Sequence, residues 1–522
     1  MFLSTIKFLL FSCCILCSIS VYAVNDCPII PQPKNTQLLH TNFVLNQDVV
    51  IIGNSSSVNL VGYLKDEIKK RTGIQLNAIS IKANKKIQLI VDPKLKLIGS
   101  YQIQMSAQTI AIKAANEEGF FNGLNSLLQL IDASTKSKNQ VNLKCWTIND
   151  EPRFAWRGFM LDEARHFFGI NKVKQLLDWM AYYKLNRFHW HLTDQQGWRL
   201  PISKYPKLTS VGGVGNFSDT SAKAAYYTKS QIEEIVAYAK QRYITVIPEI
   251  DMPGHATAAN KAYPEFNGGG VPEHPNFTFN PGYEKTYSFL GDILKETSTL
   301  FPSKMIHLGG DEVEFGAKAW YTNENVKSLM QSKNLTNIQE VEQYFFRRMA
   351  DTVKKLGSKV LAWDEAVDAD LDPANTLIFW WRQDKKAQLQ KALDKGFSII
   401  LCPRLPMYFD FVQDEQHKVG RKWKEKFNAL QNVYEFPSGD LNYQNGLIKG
   451  VQANLWTETI TSEYRFDLMI FPRIAALAEA AWTEEKNKNF TAFEENLKKH
   501  LSLYKKQNIN YYDPFERTVR EN

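Results

Sequence analysis

The chain contains the stretch Ile306-His307-Leu308-Gly309-Gly310-Asp311-Glu312-Val313, in which a short apolar run meets two glycines and two adjacent carboxylates. Consecutive side chains of a strand point to opposite faces, so Asp311 and Glu312 can reach one site only where the strand ends and the backbone bends. Gly309 and Gly310 permit such a bend and let a ligand approach the main chain. The alternative is a solvated turn, where Asp-Glu pairs are common.

Other short apolar runs accompany this strand across residues 151–485, and amphipathic helices separate most of them. The predicted strands are Gly158–Glu163, Arg187–Thr193, Tyr243–Ile250, Met305–Leu308, Lys359–Trp363, Thr376–Trp381, Phe397–Leu401 and Gly450–Leu455. This alternation predicts the α/β class and, more closely, a (β/α)8 TIM barrel. The alternative is an open doubly wound sheet, but no Gly-x-Gly-x-x-Gly or P-loop pattern in the sequence supports it.

Helical periodicity marks the connections between these strands. The segments Asn171–Tyr183 and Asn337–Leu356 each carry an apolar stripe at helical spacing, and Asp384–Lys395 is followed by a glycine that ends a helix. The run Ser230-Gln231-Ile232-Glu233 has the pattern of a capping box and predicts the start of a further helix.

Residues 27–150 have a different pattern, which predicts a small α+β domain in front of the barrel. Its predicted strands are Val49–Ile52, Ile87–Val91 and Tyr101–Lys113, the last with a turn inside it, and its predicted helices are Val58–Arg71 and Glu117–Ile131. The domain boundary is expected at Asn149-Asp150-Glu151-Pro152-Arg153. Residues 486–522 are expected to form a helical extension packed on the barrel.

Residues 1–23 have the pattern of a secretory signal peptide. The apolar segment Phe8–Cys17 is too short to span a bilayer, and Val21-Tyr22-Ala23 offers a small-residue cleavage site. An uncleaved anchor is the alternative, and three cysteines in the leader raise the further alternative of a lipid anchor. We expect a bacterial protein exported to the periplasm or secreted, with no membrane span in the mature chain.

The composition is that of an ordinary globular protein, with 44% hydrophobic and 23% charged residues. A formal net charge of +8 is mild for 522 residues, and the absence of a basic block argues against a nucleic-acid partner. Outside the leader, Cys27, Cys145 and Cys402 have neither metal-type spacing nor the pattern of a disulfide framework. The 12 Trp and 22 Tyr residues suit a sugar-binding cleft or a large core.

The residues that follow each barrel strand are informative, because active sites of such barrels lie at the C-terminal strand ends. Nearly every end carries a carboxylate, a tryptophan or both: Asp162-Glu163, Asp194, Glu249 and Asp251, Asp311-Glu312, Trp363-Asp364-Glu365, Trp380-Trp381, Tyr408-Phe409-Asp410 and Trp456-Thr457-Glu458. At any single end, a helix-capping Asp or a core Trp is the alternative. Carboxylates accept sugar hydroxyls and indole rings cover the apolar faces of a pyranose, so the whole set predicts a carbohydrate pocket.

His189 and His191 form a His-x-His pair that resembles the metal-binding pair of amidohydrolase barrels. Such a site needs further histidine ligands on later strands, for which His255 and His307 are the candidates. We favour hydrogen bonding of His189 and His191 within the barrel top, and expect neither a metal nor a cofactor.

Several motifs together resemble family 20 of the glycoside hydrolases, the β-N-acetylhexosaminidases. They are Gly309-Gly310-Asp311-Glu312, Trp156-Arg157-Gly158, His189-Trp190-His191-Leu192, Asp251-Met252-Pro253-Gly254-His255 and Leu455-Trp456-Thr457-Glu458, and the resemblance covers residues 28–485. It implies an exo-acting, retaining enzyme that releases terminal non-reducing N-acetylglucosamine or N-acetylgalactosamine. The implied substrate is an oligosaccharide or glycoconjugate, and the expected assembly is a monomer or homodimer.

The resemblance also implies a role for each site residue. Glu312 would be the catalytic acid/base and Asp311 would hold the acetamido group of the substrate, while Asp194 and His255 would support Glu312. The implied sugar contacts are Arg157, Asp410 and Glu458 for the outer hydroxyls, Trp363, Trp381 and Trp456 for the pocket wall, and Tyr408 for the acetamido oxygen.

The adjacency of the two acids bears on mechanism. Most retaining glycosidases use two carboxylates that flank the scissile bond, which neighbours in sequence cannot easily do. The family's alternative is substrate assistance, in which the acetamido oxygen attacks the anomeric carbon and forms an oxazolinium intermediate. Glu312 would then protonate the leaving oxygen with a pKa raised by the charge of Asp311. A metal-dependent amidohydrolase and a non-catalytic sugar-binding barrel stay open as alternatives.

Overall fold

The computed structural model describes residues 27–53, 57–77, 84–422, 426–439 and 446–516. The predicted signal peptide, residues 1–23, lies outside the described residues. A sheet domain comes first along the chain and a closed parallel barrel follows it.

The first domain is a mixed sheet with two helices. Its strands are β1 (Asn35–Leu45), β2 (Val50–Ile52), β3 (Lys86–Val91), β4 (Tyr101–Met105), β5 (Thr109–Ala114), β6 (Thr135–Ser137) and β7 (Gln140–Asp150), and its helices are α1 (Val58–Thr72) and α2 (Glu117–Asp132). The order across the sheet is β1-β7-β4-β5-β3-β2, with β6 paired to β7. In α1 the residues at helical spacing, Leu60, Leu64 and Ile68, are the buried ones. The predicted α+β domain is confirmed.

The long strands β1 and β7 are absent from the sequence-based prediction. Most residues of β1 are exposed or half-buried, so its hydrophobic alternation is weak. Its pairing with β7 also shifts register between Leu38 and Asn42, which breaks the period of two on which strand prediction depends.

The second domain is built on parallel strands. Its strands are β8 (Trp156–Asp162), β9 (Arg187–His191), β10 (Thr193–Asp194), β11 (Gly197–Trp198), β12 (Thr245–Glu249), β13 (Asn267–Val271), β14 (His274–Phe279), β15 (Met305–His307), β16 (Lys359–Trp363), β17 (Thr376–Trp380), β18 (Ser398–Leu401) and β19 (Ile448–Leu455). Eight of them close a barrel in the order β8-β9-β12-β15-β16-β17-β18-β19, while β10–β11 and β13–β14 form separate two-stranded sheets. The predicted (β/α)8 barrel is confirmed.

Helices connect most barrel strands and continue past the last one. They are α3 (Ile170–Tyr182), α4 (Lys207–Ser210), α5 (Lys229–Lys240), α6 (Thr257–Ala262), α7 (Glu284–Leu300), α8 (Glu314–Ala317), α9 (Glu324–Lys333), α10 (Ile338–Lys355), α11 (Lys386–Asp394), α12 (Arg404–Met407), α13 (Leu430–Glu435), α14 (Glu463–Ile470), α15 (Arg473–Trp482) and α16 (Phe490–Lys506). Between β16 and β17 the connection contains a 3-10 helix, Asp364–Asp368. None of the described helices is long and apolar enough to cross a bilayer.

The start of α5 corrects the predicted capping box. The N-cap is Thr228, and it exchanges hydrogen bonds with Gln231, so the box begins two residues before the predicted Ser230. The preceding residue, Tyr227, is fully buried and its hydroxyl donates to Glu163. Thr228-Lys229-Ser230-Gln231 also has the capping-box pattern, so the sequence offers two starts, and the buried anchor at Tyr227 fixes which of them is used.

A buried ion pair joins the two domains. Lys184, in the turn after α3, lies 3.3 Å from Asp150 at the end of β7, and both side chains are fully buried. Asp150 also accepts hydrogen bonds from the Tyr101 hydroxyl at 2.5 Å and from the Trp482 indole at 2.9 Å. The sheet domain is therefore fixed to the barrel by a charged group whose hydrogen bonds come from both sides.

Candidate active site

The bend predicted after β15 is present and its backbone is unusual. Gly309 and Gly310 have φ values of 66° and 93°, and Glu312 itself has a φ of 55°. A Cβ on Gly309 would lie 1.9 Å from Oδ1 of Asp251, and one on Gly310 would lie 2.5 Å from the ring of Phe346. Only glycine fits these two positions, and a glutamate in the left-handed region is the kind of local strain found at functional sites.

The bend places Asp311 and Glu312 around one imidazole. Nε2 of His255 lies 3.8 Å from Oδ2 of Asp311 and 3.7 Å from Oε2 of Glu312. The Asp311 side chain is 12% exposed and the Glu312 side chain 34%, so the first is withdrawn and the second reaches solvent. Burial and the neighbouring Asp251 raise the pKa of Asp311 well above its usual value, against the effect of His255.

Asp194 connects His255 to the rest of the site. Its Oδ1 lies 3.0 Å from Nδ1 of His255, and its Oδ2 lies 3.0 Å from Nε2 of His191 and 2.7 Å from Arg165. Burial alone would raise the pKa of Asp194, but Arg165 and His255 hold it well below its usual value. In turn, Asp194 and Asp311 overcome burial and raise the pKa of His255 to about 9. These contacts favour the protonated form of His255 beside the two acids.

Aromatic side chains from four strand ends form the wall of the site. The rings of Trp381 and Tyr408 stack with centroids 6.4 Å apart, and Trp456 lies 6.1 Å from Tyr408 and 5.9 Å from Trp363. The Trp381 indole donates to Glu365 at 3.0 Å. These rings belong to an apolar cluster inside the barrel, so their positions are fixed by core packing.

A cavity of about 250 Å³ opens between the acids and this wall. Its lining residues are Arg165, Asp311, Glu312, Trp381, Arg404, Tyr408, Phe411, Arg421, Lys422, Trp456 and Glu458. Trp363, Asp194, His255 and Asp410 are at most 5% exposed and lie behind that lining. The cavity combines acids, cations and aromatic faces, which is the chemistry of a site for a polar, apolar-faced ligand such as a sugar.

Two further acids share one arginine of the cavity lining. Asp410 and Glu458 both bind Arg421, which lies 3.1 Å from Asp410 and contacts Glu458 more closely. Burial raises the pKa of Asp410 to about 7, although Arg421 opposes the shift. Arg421 is absent from the sequence-based site, because it lies in the long connection between β18 and β19 and no strand end points to it.

Arg157 is a wrong prediction. It is the second residue of β8 and lies at the start of the strand, whereas the cavity lies at the strand ends. Its guanidinium donates to the carbonyls of Lys184 at 2.7 Å and Phe154 at 3.0 Å, and to Glu118 of the sheet domain at 3.0 Å. Of the arginines that line the cavity, Arg165 is the one that follows the end of β8. The strand-end rule applied to β8 would have selected it.

Among the described residues, three buried groups have the spacing to hold a metal ion, and they include the His-x-His pair. They are His189 with Glu249 and His307, His191 with Asp194 and Asp251, and Asp251 with His255 and Asp311. The histidines, however, already have carboxylate partners, with 2.9 Å between His189 and Glu249 and 2.7 Å between His191 and Glu249. The other ring nitrogens take part in hydrogen bonds within the barrel top, His191 with Asp194 at 3.0 Å and His189 with Gln452 at 3.1 Å.

Comparison with known proteins bears on this site. The family model described as "Glycosyl hydrolase family 20, catalytic domain" matches residues 154–485, and "Glycosyl hydrolase family 20, domain 2" matches residues 26–151. A β-hexosaminidase of Porphyromonas gingivalis is 31% identical over 97% of this chain and 69% of its own length. A β-hexosaminidase of Vibrio furnissii is 33% identical over 86% of this chain and 76% of its own length.

Solved structures agree with these sequence matches. An exo β-N-acetylglucosaminidase from Vibrio harveyi in complex with N-acetylglucosamine superimposes with a TM-score of 0.86 at 31% identity, covering 94% of this chain and 79% of that one. A β-N-acetylhexosaminidase from Bacteroides fragilis gives a TM-score of 0.81 at 29% identity, covering 92% and 96%. The likeness extends over both domains.

Proposed function

The chain belongs to glycosyl hydrolase family 20 and is a glycoside hydrolase of the β-hexosaminidase type, and from this we propose an exo-acting, retaining β-N-acetylhexosaminidase. It would release terminal non-reducing N-acetylglucosamine, or N-acetylgalactosamine, from an oligosaccharide or glycoconjugate. The reaction would be substrate-assisted and pass through an oxazolinium intermediate. Among the alternatives from the sequence, the metal-dependent amidohydrolase loses its support, because the family is that of a glycosidase.

The observation that carries the mechanism is the shared position of the two acids. Asp311 and Glu312 are neighbours on one turn and both approach the same nitrogen of His255. A double displacement with an enzyme nucleophile needs carboxylates on opposite sides of the anomeric carbon. Acids on one side suit a reaction in which the substrate supplies the nucleophile, its own acetamido oxygen, from the other side.

Glu312 is more exposed than Asp311, and the proposed mechanism needs this difference because only the proton donor must reach the leaving group. Glu312, which reaches solvent, would donate a proton to the leaving oxygen and then activate the attacking water. Asp311, which is withdrawn beside His255, would accept the acetamido N–H and stabilise the positive charge that develops on the sugar. Burial and Asp251 raise the pKa of Asp311 and so favour its protonated form. An N–H donor and a developing cation would both favour its ionised form.

The remaining contacts follow from the cavity lining. Trp381 and Trp456 would cover the sugar faces, with Trp363 packed behind Trp456, and Tyr408 would donate its hydroxyl to the acetamido oxygen. Asp410, Glu458 and Arg165 would bind the outer hydroxyls. Asp194 and His255 would support the acid pair through the contacts already described.

The size of the cavity favours exo action. Its volume of about 250 Å³ lies below the ~300–1,000 Å³ typical of drug-sized ligands, so it would take one sugar ring and not an internal stretch of a chain. The ion pairs of Arg421 with Asp410 and Glu458 bound the cavity at the end where the non-reducing hydroxyls would lie. We further propose export to the periplasm or medium of a bacterium, on the pattern of residues 1–23, and a monomeric or dimeric state.

A comparison of aryl glycosides tests the proposal. Aryl N-acetyl-β-glucosaminide should be hydrolysed, and the matching aryl β-glucoside should react at least ~10⁴-fold more slowly, because it lacks the intramolecular nucleophile. A thiazoline mimic of the oxazolinium intermediate should inhibit strongly, and a chelator should leave activity unchanged. Equal turnover of the two glycosides would reject substrate assistance. Loss of activity on chelation, restored by zinc, would revive the metal site at His189 and His191.

A further inference from the structure

Glu249, the last residue of β12, is a fully buried carboxylate surrounded by ring nitrogens. The Trp363 indole donates to its Oε1 at 2.9 Å, and Nδ1 of His307 lies 3.1 Å from the same oxygen. Its Oε2 lies 2.7 Å from Nδ1 of His191 and 2.9 Å from Nε2 of His189. The glutamate therefore sits beneath the cavity, in contact with the end of each of the three neighbouring strands β9, β15 and β16.

One of these contacts leads to the acid pair. His191 has a carboxylate at each ring nitrogen, Glu249 at Nδ1 and Asp194 at Nε2 at 3.0 Å. A carboxylate close to each ring nitrogen favours the imidazolium form of His191, which carries a proton on both nitrogens. Although burial opposes it, Glu249 and Asp194 raise the pKa of His191 well above its usual value. Charges consequently alternate from Glu249 through His191 and Asp194 to His255, which faces the two acids.

A second contact leads to the wall of the cavity. The Trp363 indole has its N–H bound to Glu249, and the ring packs against Trp456, which lines the cavity. We call Glu249, His191, Asp194 and His255 the charged row. Glu249 thus contacts both His191 of this row and Trp363, the ring that packs behind the cavity wall. A misplacement of about 1 Å at such a point can cost ~10²-fold in rate.

A buried glutamate at a strand end can also be purely structural, and the chain contains such a case. Glu163, which follows β8, is fully buried and accepts the Trp190 indole at 2.6 Å and the Tyr227 hydroxyl at 2.5 Å. Its remaining partners are the backbone amides of Phe168 and Gly169. Glu163 therefore resembles Glu249 in burial and in its indole partner, but its hydrogen bonds include no imidazole of the charged row.

We propose that Glu249 is a positioning residue of the hydrolytic reaction, acting through His191, Asp194 and His255 on the acid pair and through Trp363 on the pocket wall. The inference rests on the proposed roles of Asp311 and Glu312. Without the charge of Glu249, His191 becomes neutral and presents a single N–H to two neighbours. Asp194 then loses a fixed partner, and His255 is held less firmly against the acids. The chemical step suffers most when the leaving group depends on protonation.

The experiment compares Glu249→Gln with Glu163→Gln as matched control and Glu312→Gln as reference. For each variant, kcat and KM are measured on aryl N-acetyl-β-glucosaminides whose phenol leaving groups span a range of pKa, and Tm is recorded. Glu312→Gln should lose ~10²- to 10⁴-fold in kcat/KM on the poorest leaving groups and less on the best. Glu249→Gln should show the same dependence with a loss of about 10- to 100-fold, as for outer partners of catalytic groups. In Glu163→Gln, kcat/KM should depend on the pKa of the leaving group as it does in the wild-type enzyme.

A second pair of variants keeps the proposal testable if Glu249→Gln does not fold. His191→Asn breaks the charged row at the next residue, so kcat/KM should again depend more steeply on the pKa of the leaving group. Trp363→Phe removes only the indole N–H, so it should change KM without making this dependence steeper. A Glu249→Gln or His191→Asn enzyme that loses activity equally on all leaving groups, as expected for a structural defect, would overturn the inference. Failure of the wild-type enzyme on every N-acetyl glycoside would instead reject the proposed function.

Discussion

At the residue scale, two arginines flank β8. Arg157 lies at its start and is 2% exposed, with Glu118 of the sheet domain as its charged partner. Arg165 lies beyond its end, where it binds Asp194 and packs over the Trp456 ring at 4.9 Å. The first therefore joins domains and the second faces the cavity, although both belong to the same segment of sequence.

Exchanging each arginine for methionine should separate these roles. Arg157→Met removes the charged donor of Glu118 and a donor of two backbone carbonyls, so we expect a loss of about 2–5 kcal/mol in the free energy of unfolding and an unchanged KM. Arg165→Met would remove the charged contact proposed for the sugar hydroxyls, worth about 1.5–3 kcal/mol, so kcat/KM should fall about 10- to 100-fold. Denaturant titration and steady-state kinetics on both variants measure this. A raised KM in Arg157→Met at wild-type stability would restore the role first expected for it.

The residues that could be predicted are those fixed by their place directly after a strand. Asp311, Glu312, Asp194, Trp381 and Trp456 belong to this group, because a closed parallel barrel brings all strand ends to one face. Arg421 could not be predicted, since its connection reaches the cavity only through the tertiary contacts with Asp410 and Glu458.

At the scale of elements, the turn after β15 decides the position of the acids. Gly309 has little room, because its Cβ position coincides with the carboxylate of Asp251, whose Oδ1 accepts the Gly310 amide at 3.2 Å. Replacement of either glycine must therefore move the turn, Asp251 or both. Gly357, which follows α10, also has a positive φ of 71° but has open space around its Cβ position.

The two glycines offer a matched comparison. Gly357→Ala should cost about 1–2 kcal/mol for the left-handed backbone alone and leave kcat/KM as in wild type. Gly309→Ala meets the same backbone strain together with the clash, so it should also displace Asp311 and Glu312 and lower kcat by ~10²-fold or more. Thermal unfolding and kinetics on both variants test this. Wild-type kcat in Gly309→Ala would show that the geometry of the turn does not matter for catalysis.

Helices and strands with a regular hydrophobic pattern could be predicted from the sequence, and those without such a pattern could not. The barrel strand β16 is a buried apolar run after its first residue, and α10 has an apolar stripe at helical spacing, so both are visible in the sequence. The sheet formed by β13 and β14 is not, because Asn267–Val271 is glycine-rich and its pairing is irregular. In that case the partner strand and not the local sequence specifies the structure.

At the scale of the whole molecule, α16 joins both domains. His500 on this helix lies 2.9 Å from the hydroxyl of Tyr183, which follows α3 of the barrel. Asn496 donates to the carbonyl of Cys27 at 2.8 Å, at the start of the sheet domain. Both side chains are nearly fully buried. Helix α16 therefore lies where the two domains meet, and its side chains contribute to the stability of both.

Burial lowers the pKa of His500 to about 4. An unfolded histidine has a pKa of about 6.5. Between pH 4 and pH 6.5 the unfolded chain therefore binds a proton at His500 more readily than the folded chain does. The contribution of His500 to stability is therefore complete above pH 6.5 and is lost as the pH falls through 4. His189 and His417, whose pKa values are also lowered to about 4, act in the same direction. Asp410 and Glu479, with pKa values raised to about 7, bind a proton more readily in the folded chain. They therefore increase stability as the pH falls, whereas the three histidines decrease it.

Because these groups have opposing effects, the pH dependence of the total stability does not show the contribution of His500. A comparison between the wild type and a His500 variant does. His500→Phe should be less stable than wild type at pH 7, and this difference should shrink by about 1–2 kcal/mol at pH 5, since only the wild-type chain must keep a buried imidazole neutral. Asn496→Ala is the control on the same helix. It removes a buried hydrogen bond but no titrating group, so its destabilisation should be equal at both pH values. Urea unfolding at pH 7 and pH 5 measures both differences. A His500→Phe difference that stays constant between them would mean that protonation of His500 is not linked to folding, and that α16 stabilises the two domains by packing and hydrogen bonds alone.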